Sequence, residues 1–214
     1  MTVHWDWVLG NLGEIAAATL AHLELTLMAV GAGFALSLVL ALGVYRWRRL
    51  YGPIAGIAGI LYTIPSLALF AILVPFTGLS VLTAEIGLVS YTLLILVRGI
   101  VSGVDGVPRD AVEAATGMGY TGRQRLARVE LPLAAPVIVA SVRLATVSTI
   151  GLVMVTALIG EGGLGQLMLR GLNRGFPTMV YVGVGMSIIL AVVLDLALVG
   201  LQRLLTPWAR KPAT

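Results

Sequence analysis

The chain has 214 residues, of which 58% are hydrophobic and only 11% charged, with 26 glycines and a mean hydropathy of +1.00. Soluble domains run at roughly 45–50% apolar and about 25% charged, so this composition excludes an ordinary soluble globule, and most apolar side chains have to meet lipid. Cysteine is absent, which excludes disulfides, iron–sulfur clusters and thiolate zinc sites; the net charge of +4 matters less than where the charges fall.

The amino-terminal stretch carries Trp5, Trp7 and Asp6 but no Lys or Arg, the composition of an interfacial segment rather than a cleaved leader. Leu25 to Tyr45 is uncharged over 21 residues, which predicts a first span at about 20–45. Leu50 to Ala84 is uncharged over 35 residues, too long for one crossing at about 1.5 Å per residue, so it has to break. Pro53, Pro65 and Pro75 are candidate breaks, and Thr77-Gly78-Leu79-Ser80 reads as the turn between spans at about 53–74 and 81–101. Within the second of these spans, Thr63, Pro65 and Ser66 predict a kink whose freed carbonyl is met by Ser66 or by water. Such a kink either lines a translocation path or serves packing.

A polar segment occupies 102–132, the only long solvated stretch inside the chain. A fourth span at about 133–159, a glycine-rich connection from Gly160 to Pro177, a fifth span at about 179–205 and a basic tail complete it. The expectation is one all-α domain, 1–214, polytopic, with about five transmembrane helices and no internal repeat. Ten cationic residues (Arg46, Arg48, Arg49, Arg109, Arg123, Arg125, Arg128, Arg203, Arg210, Lys211) follow the odd-numbered spans, against Arg170 and Arg174 on the other side. The excess places the amino terminus outside and the carboxyl terminus in the cytoplasm.

The solvated loop reads as a helical hairpin. Pro108 suits a first helical turn, Asp110 complements the dipole, and Gly117 and Gly119 can close the helix. Thr121 and Gln124 have capping-box spacing for a second helix running to about Glu130, before Pro132. Its small-residue surface suits close docking of another protein; a solvated amphipathic connector would show the same alanines.

Inside the membrane, Arg143 lies about 16 Å along the helix from Pro132 and Asp195 about 12 Å before Arg203, comparable depths. These depths predict an Arg143–Asp195 pair, with Arg98 a competing partner. Glu85 and Glu161 are expected near the outer face. His4 and His22 read as interfacial, with no spacing for a metal site, and Phe34, Tyr62, Phe70, Phe76 and Tyr91 show no spacing for an aromatic cage. Solute selection is therefore expected in a separate protein.

No phosphate-binding loop is present, since the only lysine is Lys211; the chain is not expected to be an enzyme, and energy has to come from a partner. An intramembrane enzyme lacks a nucleophile with a base, and an ion-coupled secondary transporter rests on Asp195 alone.

Glu113-Ala114-Ala115, then Gly119, then Val129-Glu130-Leu131-Pro132 resembles the EAA loop of permease subunits of binding-protein-dependent ABC importers, with Val129 in place of isoleucine. The stretches 62–69, 103–108 and Ala157 to Gly165 are similar to segments of osmoprotectant (glycine betaine, carnitine, choline) permeases, and the likeness runs from about His22 to Pro207. A glycine-rich segment of this kind also occurs in methionine permeases. The resemblance implies an ABC type I importer permease fold in a bacterial inner membrane. It makes Glu113, Ala114, Ala115, Gly117 and Gly119 the ATPase-coupling positions of a coupling helix, and Leu131 and Pro132 the return into the membrane. Thr63, Pro65, Ser66, Gly160, Glu161, Gly162 and Gly163 become pathway or gate positions. Implied partners are a cytoplasmic ATPase dimer that binds ATP and Mg, a second permease subunit, an extracytoplasmic binding protein and membrane lipid, with no nucleic acid and no cofactor in this chain. The solute would be an osmoprotectant or, alternatively, methionine or another amino-acid-like compound.

Overall fold

The computed structural model describes residues 3–209, and every regular element among them is helical. Arg210 and Lys211, two of the charges behind the predicted orientation, lie outside the described residues. A short helix α1 (Trp5–Gly10) leads into α2 (Leu12–Arg46), 35 residues and about 52 Å long, which extends the expected first span well toward the amino terminus. Its apolar residues run all round the helix, and only 33% of its most apolar window is buried, as suits a helix facing lipid on one side and protein on the other.

The expected continuous span at 53–74 is instead two helices, α3 (Tyr51–Thr63) and α4 (Ser66–Thr77), bent by 97°. Pro65 removes a donor and excludes the helical region for its predecessor: Ile64 sits at φ −67°, ψ 126°. Gly78 (φ 71°) and the Ser80 N-cap then turn the chain into α5 (Val81–Asp105).

The expected stop before Pro132 is also absent. Helices α6 (Arg109–Gly117) and α7 (Gly122–Arg125) form the loop hairpin, but α7 continues through a π-helical turn (Leu126–Glu130) into α8 (Leu131–Thr156), one run of 38 residues ending at Ile159. The Leu131 N–H reaches back five residues to the Leu126 carbonyl. Pro132 falls in the first turn after this shift, and the helix carries on through it.

The connection 160–177 is not a loop: it holds α9 (Leu164–Asn173), an amphipathic helix lying against α10 (Pro177–Leu205) and α2. Among the described residues, four helices are thus long and apolar enough to cross a membrane, or five spans if the bent pair counts as one.

Helix α5 sits at the centre, packed by α2, α3, α4 and α8. One cluster joins Leu25, Ala29, Phe70, Leu88 and Val153; a second joins Ala41, Val44, Val97 and Ile100. Small residues set the crossings. A Cβ on Gly33 would lie 1.9 Å from Thr92 Oγ1, and one on Gly99 2.2 Å from Ser141 Oγ. Helix α10 is the outlier, its apolar window only 17% buried, leaving Ile188, Val192 and Leu196 exposed to lipid or a partner.

Candidate functional site

Pro108 stands at the N-cap of α6 rather than inside its first turn, and its carbonyl accepts the N–H groups of Ala111 and Val112 at 3.1 and 3.3 Å. Asp110 lies in the first turn, at the positive end of the dipole. Ala115 is the single buried residue of the helix, while Glu113, Ala114, Thr116 and Gly117 are exposed. The helix closes with two bonds, Gly119 N–H to Thr116 O at 3.0 Å and Tyr120 N–H to Ala115 O at 3.1 Å, the pattern that needs a left-handed residue between them. Gly119 is that residue, at φ +84°; Gly117 keeps an ordinary helical backbone and takes no part in the reversal. The next helix opens on a reciprocal cap: Thr121 N–H donates to Gln124 Oε1 at 2.9 Å and Gln124 N–H to Thr121 Oγ1 at 3.4 Å.

A polar network that sequence reasoning missed braces this hairpin from behind. Glu130 is 4% exposed and accepts from Arg125 Nε at 2.7 Å and from the Tyr45 hydroxyl at 3.0 Å. Arg125 also donates to Tyr45 Oη at 3.2 Å and to Thr116 Oγ1 at 3.2 Å. Tyr45 and Glu130 hold the Arg125 guanidinium above its ordinary pKa, so the charge on it persists throughout the accessible pH range. The end of α2, the hairpin and the base of α8 are therefore one hydrogen-bonded unit. Arg48 pairs with Asp105 and ties the α2–α3 link to the end of α5. Leu131 and Pro132 sit half-buried where the π-helical turn enters α8. Separations of 80 and 85 residues from Tyr45 to Arg125 and Glu130 hide the network; its only local signal is an acidic residue between the apolar Val129 and Leu131.

At the opposite end, the glycine-rich segment is wedged between helices. Gly160 (φ +89°) closes α8 with the same two-bond pattern as Gly119. A Cβ on Gly162 would lie 2.7 Å from Val153 O, and one on Gly163 2.3 Å from Ala18 O and 2.6 Å from His22 N, so only glycine admits this approach to α8 and α2. His22 is fully buried within the bundle, its Nε2 3.1 Å from Ile150 O. His4 is exposed and stacked on Phe176. Glu161 borders a cavity of about 280 Å³ with Glu24, Gly160, Gly163 and Gln166. Glu85 is half-buried near the start of α5.

At the α3–α4 break, the Ile64 carbonyl accepts from the Tyr91 hydroxyl; Ser66 takes no part. Thr63 is exposed, its hydroxyl donating to Ile60 O at 2.7 Å. Arg143 and Asp195 form a two-point pair, Nε to Oδ1 at 2.8 Å and Nη2 to Oδ2 at 2.9 Å. Arg98 stands apart from it, exposed and without an ion pair among the described residues. Tyr62 and Tyr91, dispersed in sequence, meet edge to face at 5.8 Å.

A bundle of this topology with a solvated helical hairpin at one end is that of an importer permease. Residues 33–211 match the family of binding-protein-dependent transport system inner membrane components, and the chain belongs to it. It is a multi-pass inner-membrane permease subunit. Among its relatives, the osmoprotectant import permease protein OsmW of Salmonella typhimurium is 39% identical over 96% of this chain and 97% of its own length. The choline transport system permease protein OpuBB of Bacillus subtilis is 36% identical over 92% and 91% of the two chains, and the carnitine transport permease protein OpuCB of Listeria monocytogenes 36% identical over 95% and 93%. A chain of the MetNI methionine ABC transporter, in an inward facing conformation, superposes with a TM-score of 0.83 over 92% of this chain and 98% of that one, at 22% identity, a likeness of fold.

Proposed function

We propose that the chain forms half of the translocation pathway of an ATP-driven importer for an osmoprotectant such as glycine betaine, carnitine or choline, and that α6 is the handle by which a separate ATPase drives it. The observation that carries this reading is the hairpin's construction. Glu113, Ala114 and Gly117 to Gly119 are exposed and open to a partner, while Thr116 accepts from Arg125, which with Glu130 and Tyr45 ties the helix to α2 and α8. Force applied to α6 therefore reaches two membrane helices through charge-assisted hydrogen bonds instead of dissipating in a flexible loop. The excess of arginine around the hairpin supports a cytoplasmic location for it, an outer amino terminus and a cytoplasmic carboxyl terminus. The glycine-wedged segment 160–163 then lies on the side of the binding protein and serves as the outer gate. A second permease subunit completes the pathway, and ATP and Mg bind on the ATPase.

Uptake by proteoliposomes tests this. The reading predicts import of an osmoprotectant only when this permease, its ATPase, its binding protein and ATP are all present. Uptake driven by an ion gradient through this chain alone would overturn it.

A further inference from the structure

Two features are left unexplained by the hairpin: an arginine with no ion pair among the described residues, within one turn of the end of the span at about 81–101, and a helix break close by. Arg98 lies seven residues before Asp105, the last residue of α5, so about 10 Å into that helix. Asp195 is engaged by Arg143, and no other carboxylate among the described residues pairs with Arg98. A guanidinium at such depth faces water, an anion or a partner rather than hydrocarbon. Arg98 opens onto a groove of about 550 Å³ whose lining also includes Tyr62, Gly99, Ser102 and Ser141. That volume falls within the roughly 300–1,000 Å³ of small-molecule sites, but it belongs to an open, largely apolar groove rather than an enclosed cavity.

The break in α3–α4 begins two residues past Tyr62, at Ile64. Non-helical backbone at membrane depth survives where protein buries it or where it lines a wet cavity. Here Tyr91 binds the Ile64 carbonyl and also abuts the Tyr62 ring, holding that ring at the groove with its surface exposed. One groove thus presents a free arginine fork and an aromatic ring braced from behind.

We propose that this groove is a solute subsite for a zwitterion carrying both a carboxylate and a quaternary ammonium, with Arg98 taking the carboxylate and Tyr62 facing the cation. The subsite rests on the importer reading above and narrows its solute: a betaine or carnitine satisfies both groups, whereas choline has no carboxylate and leaves Arg98 unpaired. Arginine matches a carboxylate with two parallel N–H donors, and a tyrosine face attracts a quaternary ammonium through its ring quadrupole.

The test uses the complete reconstituted transporter, with uptake of glycine betaine and choline each measured at saturating binding protein. Arg98→Gln is expected to lower betaine uptake at least tenfold relative to choline, while ATP turnover stimulated by loaded binding protein persists, and Arg98→Lys to recover part of the loss. Tyr62→Leu is expected to lower uptake of both solutes, and Tyr62→Phe of neither. If choline is not carried at all, the readout is the KM for betaine, expected to rise at least tenfold in Arg98→Gln; an unchanged KM overturns the proposal. In Arg98→Gln, equal loss of both solutes, loss of stimulated ATP turnover, or a deficit that follows the anionic lipid content of the vesicles also overturns it, because Arg98 then serves assembly or a lipid headgroup. A wild-type transporter that carries choline but not betaine does so too. One that carries neither refutes the osmoprotectant reading itself, a result visible before any variant is made.

Discussion

Gly119 offers the cleanest perturbation of the hairpin, because a Cβ there meets nothing within 4 Å while the backbone sits at φ +84°. Gly119→Ala therefore introduces no clash, and its whole cost is the left-handed conformation, about 1–2 kcal/mol for an L-residue. That cost falls on the closure of α6, so the fraction of time the Tyr120 N–H is released from the Ala115 carbonyl should rise about 5- to 30-fold. Amide hydrogen exchange at Tyr120 reads this directly. Gly117→Ala is the control: its site is equally open but helical, so alanine should stabilise α6 by about 0.5–1 kcal/mol and leave exchange slower or unchanged. Equal exchange at Tyr120 in wild type and Gly119→Ala would refute the assignment of the reversal to this residue.

Tyr45→Phe removes a donor to the buried Glu130 carboxylate and an acceptor for Arg125, and should cost about 1.5–3 kcal/mol, toward the lower end because Arg125 is partly exposed; thermal unfolding in detergent measures it, with a double-mutant cycle against Glu130→Gln to isolate the coupling. Arg143→Met alone should lower the yield of folded protein by leaving Asp195 uncompensated, and Arg143→Met with Asp195→Leu should restore it; folded yield by size-exclusion chromatography decides, and a double variant no better than the single contradicts a paired role. Gly163→Ala combines a left-handed backbone with contacts at 2.3 and 2.6 Å to α2, so it should cost about 2–5 kcal/mol, against about 1–2 for Gly160→Ala, where space is open; thermal midpoints rank the two.

The spans were legible because charge-free runs of fixed length have few other readings in a chain this apolar, and the reciprocal cap at Thr121 and Gln124 was legible because it is local. Other features depend on contacts far apart in sequence or on patterns that uniform hydrophobicity erases. The 97° bend at Pro65 reads as a mild kink because residues on both sides are apolar whether the helix continues or turns. Helix α9 hides behind Gly160, Gly162 and Gly163: those glycines signal a loop, yet Gly162 and Gly163 let the segment approach α8 and α2, and Gly160 supplies the left-handed turn that closes α8. Pro132 signals a stop, and the π-helical turn before it makes the stop unnecessary. Arg98, weighed only as a rival of Arg143, could not be recognised as unpartnered until Asp195 was seen held at two points.

Because the chain has no cysteine, single-cysteine variants probe the handle without background. Ala114→Cys, on the exposed face of α6, paired with a single cysteine introduced on the ATPase surface it meets and treated with copper phenanthroline as oxidant, should form a disulfide in the assembled transporter, with a yield that changes between nucleotide-free and ATP-bound states, and the disulfide should stop uptake until it is reduced. A cysteine at this position that never reaches the ATPase, or a full-yield cross-link that leaves ATP-driven uptake intact, would contradict the role given to α6.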